Sequence, residues 1–353
     1  MIELYRTLND WRRDGEEIAI ATLVCTRGST PRLPGARLAV TRSGRMEGSV
    51  SGGCVEGDVF EHAMQVLDSG QPQLTEYGIS DEMGFEVGLS CGGTIDVFIE
   101  PYVEDNVSRD LRALLEADQP AVLALAITGE AAGQRLLVRA EGLSGTIDSA
   151  VDAAVIADAR ALLTGEGGQL RTYPVAGGEL TVFLEAFTPP ARMLIVGATH
   201  TAIPLANMAN RAGFKVTVVD ARSLFATRER FPDANEVLRD WPDRALAGLG
   251  LDEFSYVVIL THDPKFDLPA LEFALRSPAR YIGAMGSRKT HAQRRERLRE
   301  MGFSDAEISR VHAPIGLDLG ARSPAEVAVA VLAEVIAVRY GRRGGFLAGE
   351  PGK

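Results

Sequence analysis

Two cysteines lie among glycines in the first hundred residues, in Ser51-Gly52-Gly53-Cys54-Val55-Glu56-Gly57-Asp58 and in Gly88-Leu89-Ser90-Cys91-Gly92-Gly93-Thr94. Glycine pairs let backbone N–H groups approach a ligand where side chains would block it. A thiol among such donors is in a setting for thiolate chemistry, which attacks sulfur species or binds metal. Cys54 has a second feature. Val55, Val59, Ala63 and Val66 recur at helical spacing, so Cys54 is expected to open a helix at the end whose dipole favours negative charge. The plainer reading is tight turns around two inert, buried thiols; two near-matching settings favour function. Cys54 and Cys91 are therefore candidate reactive groups, with Gly52, Gly53, Gly92 and Gly93 as backbone contacts for a bound molecule.

These loops need elements to hold them. Helix 1–14, strand 17–25, a hairpin over 36–50, the Cys54 helix and strands at 74–79 and 94–100 read as mixed α+β. Further helices are expected at 106–116 and 150–163, and strands at 121–128, 134–138 and 180–187. No internal repeat is read. Thr188-Pro189-Pro190 is the cleanest break, since two prolines stiffen the chain and remove donors. The expected domains are 1–188 and 189–353.

Beyond the break, strands at 193–196, 215–219, 256–260 and 280–282 alternate with helices at 202–212, 268–275, 287–301 and 324–340. Such alternation predicts a doubly wound, Rossmann-like parallel sheet. Gly197-Ala198-Thr199-His200-Thr201-Ala202 follows the first strand, and Asp220 closes the second, where a ribose-binding acid belongs. Arg222 is close enough to cover an adenine face. Thr199, however, replaces the glycine that lets the backbone meet a pyrophosphate, which weighs against tight NAD binding. His200 and His262 fall at strand ends as pocket candidates. Ser287 is placed to cap a helix, with Arg288 beside it, making an anion site. Arg294, Arg295, Arg297 and Arg299 read as a solvated helix face paired with Glu296 and Glu300.

Composition limits the partners. The chain has 353 residues and a net charge of −11, which argues against nucleic acid or anionic membrane. Three cysteines without a CxxC pair, no signal-peptide pattern and no span-length apolar run point to a reducing, cytoplasmic setting.

The segments GSVSGGCVEGDV (48–59) and GLSCGGTIDVFIEP (88–101) closely resemble the amino-terminal region of the XdhC/CoxI family. Segments 261–265, 281–290 and 314–324 resemble later parts of the same family. The resemblance implies an accessory factor for molybdenum hydroxylases. Such a factor binds the molybdenum cofactor (molybdopterin), supports its sulfuration and delivers it to an apo-enzyme of the xanthine dehydrogenase type. A cysteine desulfurase is a further partner on this reading, and a homodimer is left open. On it the cofactor lies between the two domains, with Cys54 and Cys91 near molybdenum and Ser287 and Arg288 on its phosphate. The alternatives are an NAD-dependent oxidoreductase using Gly197, Thr199, His200, Asp220 and His262, and a non-catalytic redox or nucleotide sensor that docks on another enzyme.

Overall fold

A computed structural model describes residues 2–78 and 92–347, and the chain divides into two compact units, Met1–Pro189 and Pro190–Lys353. The first unit begins with α1 (Ile2–Arg13), β1 (Ile18–Arg27), β2 (Arg37–Thr41), β3 (Met46–Gly48), α2 (Glu56–Ser69), β4 (Gln73–Tyr77) and β5 (Thr94–Pro101). It continues with α3 (Asn106–Glu116), β6 (Ala121–Ala126), β7 (Arg135–Arg139), β8 (Leu143–Gly145), α4 (Asp152–Ala161), β9 (Gly167–Val175) and β10 (Gly178–Phe187). β8 and β9 were not expected: β8 has three residues, and β9 is largely exposed with three glycine or proline positions that mask its pattern.

Those two series are the same series. Each runs helix, three strands, helix, two strands, and builds an antiparallel five-stranded sheet, ordered β3-β2-β1-β5-β4 and β8-β7-β6-β10-β9. The expectation of no internal repeat is thus wrong. Register aligns the copies residue by residue: Ile20 pairs with Ala39 and Glu100, and Leu123 with Leu137 and Glu185. Gly48 pairs with Leu38 and Gly145 with Leu136. Both glycines have positive φ, and a Cβ on either would collide with a backbone carbonyl, of Arg37 or of Arg135. Only glycine fits there.

Each sheet packs one face on its own helix. Ala21, Leu38, Val97 and Ile99 meet Val59, Ala63 and Val66 of α2, while Val122, Leu136 and Val182 meet Val155 and Ala159 of α4. The other faces meet each other and α1 and α3, through Leu8, Trp11, Ile20, Leu111, Leu123 and Phe187 and through the matched pair Phe98 and Phe183.

The second unit comprises β11 (Arg192–Val196), α5 (Ala202–Arg211), β12 (Lys215–Val219), β13 (Glu236–Leu238), α6 (Pro242–Leu249), β14 (Ser255–Ile259), α7 (Pro264–Leu275), β15 (Tyr281–Ala284), α8 (Arg288–Glu300), α9 (Asp305–Ile308), β16 (Val311–His312) and α10 (Pro324–Arg339). Its six strands are parallel, ordered β13-β12-β11-β14-β15-β16. Alternate residues of β11 enter opposite cores, Met193 and Ile195 with α5 and α10, Leu194 and Val196 with α7 and α8. Burial on both faces explains why its strands read as unbroken apolar runs. This is the expected Rossmann-like architecture. Strand order reverses between β11 and β14, so the carboxyl ends of those strands form the switch point at which such sheets bind ligands. Among the described residues, no helix is long and apolar enough to cross a membrane.

Candidate functional site

Cys54 is exposed, on the loop between β3 and α2. The helix starts two residues later than the spacing suggested, with Val55 as its N-cap and no capping side chain. The work of a cap falls to Glu56. Its carboxylate accepts from the Ser49 hydroxyl at 2.5 Å, from Val50 N–H at 3.2 Å, Ser51 N–H at 2.9 Å and Gly53 N–H at 2.8 Å, and from the Ser51 hydroxyl. Gly52 N–H donates to Ser49 Oγ at 2.8 Å, and the N–H groups of Cys54 and Val55 donate to Ser51 Oγ at 2.9 and 3.0 Å. Partial burial pushes the Glu56 carboxyl up, but the Ser49 and Ser51 bonds outweigh it and bring it down to about 2.

This corrects the role given to Gly52 and Gly53. Their N–H groups serve Ser49 and Glu56 and are already committed. What the pair contributes is conformation: φ is 83° and 114°, and at Gly53 a Cβ would stand in open space. The loop keeps its shape with its own carboxylate at the centre, and it presents the Cys54 side chain and two bare Cα faces outward.

The second glycine pair lies beside the same surface. A Cβ on Gly93 would collide with the Ser29 carbonyl, one on Gly28 would lie 3.4 Å from Gly93 Cα, and one on Gly52 would lie 3.9 Å from Pro31 Cβ. The turn at 28–31 therefore sits against both loops, and Gly93 is required for close backbone approach. Cys91 lies outside the described residues. Sequence reasoning passed over Cys25 and Arg27. Arg27 forks onto Asp96 with two bonds of 2.8 Å, pairs with Glu76, and donates to Cys25 Sγ at 3.6 Å. The signal was alternation on β1, which places Cys25 and Arg27 on one face.

In the second unit Gly197 follows β11, and a Cβ there would collide with the Thr261 methyl group beyond β14. Asp220 is at the predicted place but is fully buried. It accepts from Ala198 N–H at 2.8 Å, from Arg222 N–H at 2.9 Å, and from the Arg222 guanidinium at 2.9 and 2.7 Å. Burial would raise its carboxyl, but Arg222 and the two backbone donors hold it below the usual range. Its oxygens are thus spent within the protein rather than offered to a ribose. Thr199 Oγ1 is buried without a hydrogen-bond partner, and His200 is exposed.

Thr261 donates to Asp267, which also pairs with Arg294, and both charged residues are buried. The solvated face expected for Arg294 is therefore corrected; Arg295 and Arg299 pair with Asp305, and Arg297 with Glu300. Arg294 Nη1 donates to the Met285 carbonyl at 2.6 Å and so fixes the turn into α8. There Ser287 caps the helix, accepting from Thr290 N–H at 3.1 Å, with Arg288 exposed beside it. His262 is exposed and lines a cleft of about 580 Å³ with Asp267, Thr290, Gln293, Arg294 and Arg297. Among the described residues, no group of three or more His, Cys, Asp or Glu is placed to hold a metal ion.

Two family models match the chain: "XdhC and CoxI family" over residues 11–78 and "XdhC Rossmann domain" over 193–335. The chain is 29% identical to a Bacillus subtilis protein named as a probable subunit of xanthine dehydrogenase, over 92% of this chain and 94% of that one. It is also 29% identical to the Escherichia coli molybdenum cofactor insertion chaperone PaoD, over 92% of this chain and 84% of the relative. A Bacillus halodurans crystal structure described as a xanthine dehydrogenase superposes with a TM-score of 0.70 at 26% identity, over 99% of this chain and 98% of that one. The amino-terminal match contains the Cys54 loop, and the carboxy-terminal match contains the Gly197, Asp220, His262 and Ser287 positions. The chain thus carries an XdhC and CoxI family region over 11–78 and an XdhC Rossmann domain over 193–335.

Proposed function

We propose that the protein is an accessory factor that carries molybdenum cofactor as cargo, supports its sulfuration and hands it to an apo molybdenum hydroxylase of the xanthine dehydrogenase type. The observation that carries this reading is the exposure of Cys54 on a loop whose every backbone donor from Val50 to Val55 is already satisfied. A loop that needs no ligand to hold its shape can take up and release one at little cost in order. The exposed thiol is the group proposed to meet the cargo, and Gly52 and Gly53 let a bulky ligand or a client surface come close. Cys91 belongs to the same proposal by its motif, with a cysteine desulfurase as the source of sulfur.

The second unit contributes its own anion-binding candidates, Ser287 and Arg288 at the head of α8, and His262 in the neighbouring cleft. The nicotinamide reading gains nothing from the structure, because Asp220 is committed to Ala198 and Arg222.

The test is to produce the chain in cells that make the cofactor, purify it and assay retained pterin, with Cys54→Ala alongside. Pterin is expected with the parent protein and at least tenfold less with the variant. Absence of pterin from both proteins overturns the proposal; equal retention removes Cys54 from it.

A further inference from the structure

The last helix is apolar on the side that faces water. From Val327 to Val338, about three turns of α10, Glu334 is the only charged residue. It turns inward, accepting from the Tyr281 hydroxyl at 2.6 Å and from Gly316 N–H at 2.7 Å. Ala328, Val331 and Val335 are buried in the core that α10 shares with α5. The opposite stripe is Ala325, Val329, Ile336 and Tyr340, with Val329 46% exposed, Ile336 36% and Tyr340 57%. A surface helix ordinarily offers water a polar face, and one that is apolar all round is covered by something.

The stripe is complementary to itself. Four positions separate Ala325 from Val329, and four separate Ile336 from Tyr340. If two α10 helices run antiparallel about a twofold axis between Leu332 and Ala333, Val329 meets the partner's Ile336 and Ala325 meets the partner's Tyr340. Size agrees with this register. Tyr340 is the largest side chain of the stripe and Ala325 the smallest, and a dent of about 200 Å³ lined by Leu319, Ala321, Glu326 and Val329 lies at the Ala325 end. Charge agrees too. Asp318 and Glu326 are exposed at the amino end of α10, with Arg322 as the exception, whereas Arg342 and Arg343 are exposed just past the carboxyl end. Antiparallel pairing sets acidic ends against basic ends; parallel pairing would set like against like.

We propose that the outer face of α10 is a self-association surface, occupied by α10 of a second copy of this chain in antiparallel orientation. The helix has 16 residues and is about 24 Å long. Its stripe alone therefore covers less than the roughly 800 Å² per partner of a standard stable interface. The dimer is accordingly weak and depends on concentration. The inference goes beyond the cargo role and stands on a face that role does not use.

Sedimentation velocity of the full chain across the micromolar range reads the association. The mass is expected to climb from one chain toward two as concentration rises. Val329→Glu and Ile336→Glu each put a charge into the contact and are expected to weaken association on the order of tenfold or more, while Ile336→Leu keeps most of it. Thermal unfolding of the variants confirms that they fold. Register is read by disulfide trapping. Chains carrying Val329→Cys, mixed with chains carrying Ile336→Cys and mildly oxidised, are expected to link through the two new thiols, while neither variant links to itself there; mass spectrometry of the joined peptides identifies the bond. A one-chain mass at every concentration overturns the proposal, as does unchanged affinity in both glutamate variants. Linkage of Val329→Cys to its own copy in place of Ile336→Cys overturns the antiparallel register, and the proposal with it.

Discussion

In the first copy of the repeat, three residues, Gly52, Gly53 and Cys54, separate Ser51 from Val55; in the second, only Ser149 and Ala150 separate Asp148 from Val151. The frame around them is shared. Gly48 and Gly145 each clear a carbonyl, and Glu56 and Asp152 each reach back to cap the approach to a helix. Asp152 accepts from Thr146 Oγ1 at 2.5 Å, Ile147 N–H at 3.0 Å and Asp148 N–H at 3.1 Å. The other departure is between the last two strands. A two-residue turn joins β9 to β10, whereas residues 78–93, with Cys91 among them, join β4 to β5. What the copies share is what the fold requires. What only the first copy has is both cysteine motifs, and that separates chemistry from scaffold without any other protein for comparison.

The copies also exchange charge, and there the symmetry fails in an informative way. Arg37 of the first copy pairs with Glu185 of the second, both buried, with one bond of 2.9 Å. The reciprocal pair would be Arg135 with Glu100. Arg135 turns instead to Asp105 at 2.9 Å and to Ser108 and Val103 at 3.3 Å. Glu100 stays buried, and burial pushes its carboxyl up to about 7 although the Arg135 and Arg37 charges pull it down. Glu185→Ala, which strands Arg37, is expected to destabilise by about 3–5 kcal/mol. Denaturant unfolding at neutral pH measures it, and a loss below about 1 kcal/mol would mean that the pair is solvated.

Glu100 should show the opposite sign. Its raised carboxyl contributes stability that is fully present below the ordinary value of 4.5 and is lost as pH rises through about 7. Glu100→Gln should therefore gain on the parent between pH 5 and 8, by on the order of 2–3 kcal/mol. A parallel pair of stability–pH curves would refute the asymmetry.

The two caps differ by less. Glu56→Ala leaves three backbone N–H groups without their carboxylate and is expected to cost about 2–3 kcal/mol, against about 1–2 kcal/mol for Asp152→Ala. Because the Glu56 carboxyl is held down at about 2, its contribution is present above about 4.5 and lost as pH falls through 2. The acid limb of the unfolding curve should flatten in Glu56→Ala. An unchanged limb would show that the loop finds other acceptors.

Much of this was legible beforehand. Apolar periodicity located α3, β12 and α10 almost to the residue, and the cysteine motifs located the loops. The repeat was legible too: Gly35-Ala36-Arg37-Leu38 matches Gly133-Gln134-Arg135-Leu136, and Val97-Phe98-Ile99-Glu100 matches Val182-Phe183-Leu184-Glu185. It was missed because the spacing between matches shifts from 98 residues to 85 as the connections differ in length. Partner choice was not legible. Nothing local says that Glu56 consumes the donors of Gly53, that Asp220 turns inward to Arg222, or that Arg294 leaves its charged neighbours for Asp267. The first two partners are within three residues and still have rivals of equal reach, while Asp267 lies 27 positions from Arg294, so in each case the folded surroundings decide which polar groups pair.

If the first copy is scaffold plus insertion, the insertion should be removable. Replacing Gly52-Gly53-Cys54 by the Ser-Ala of the second copy retains Ser49, Ser51, Val55 and Glu56, and with them the bonds that hold the turn. Two left-handed glycines disappear, and a shorter path already proved by Ser149 and Ala150 takes their place. The exchange should change unfolding free energy by less than about 1 kcal/mol, the scale of glycine-to-alanine effects, while thiol labelling at that loop and pterin retention are both lost. A large loss of stability would show that Gly52 and Gly53 serve the fold, and the contrast between the copies would then be one of architecture rather than chemistry.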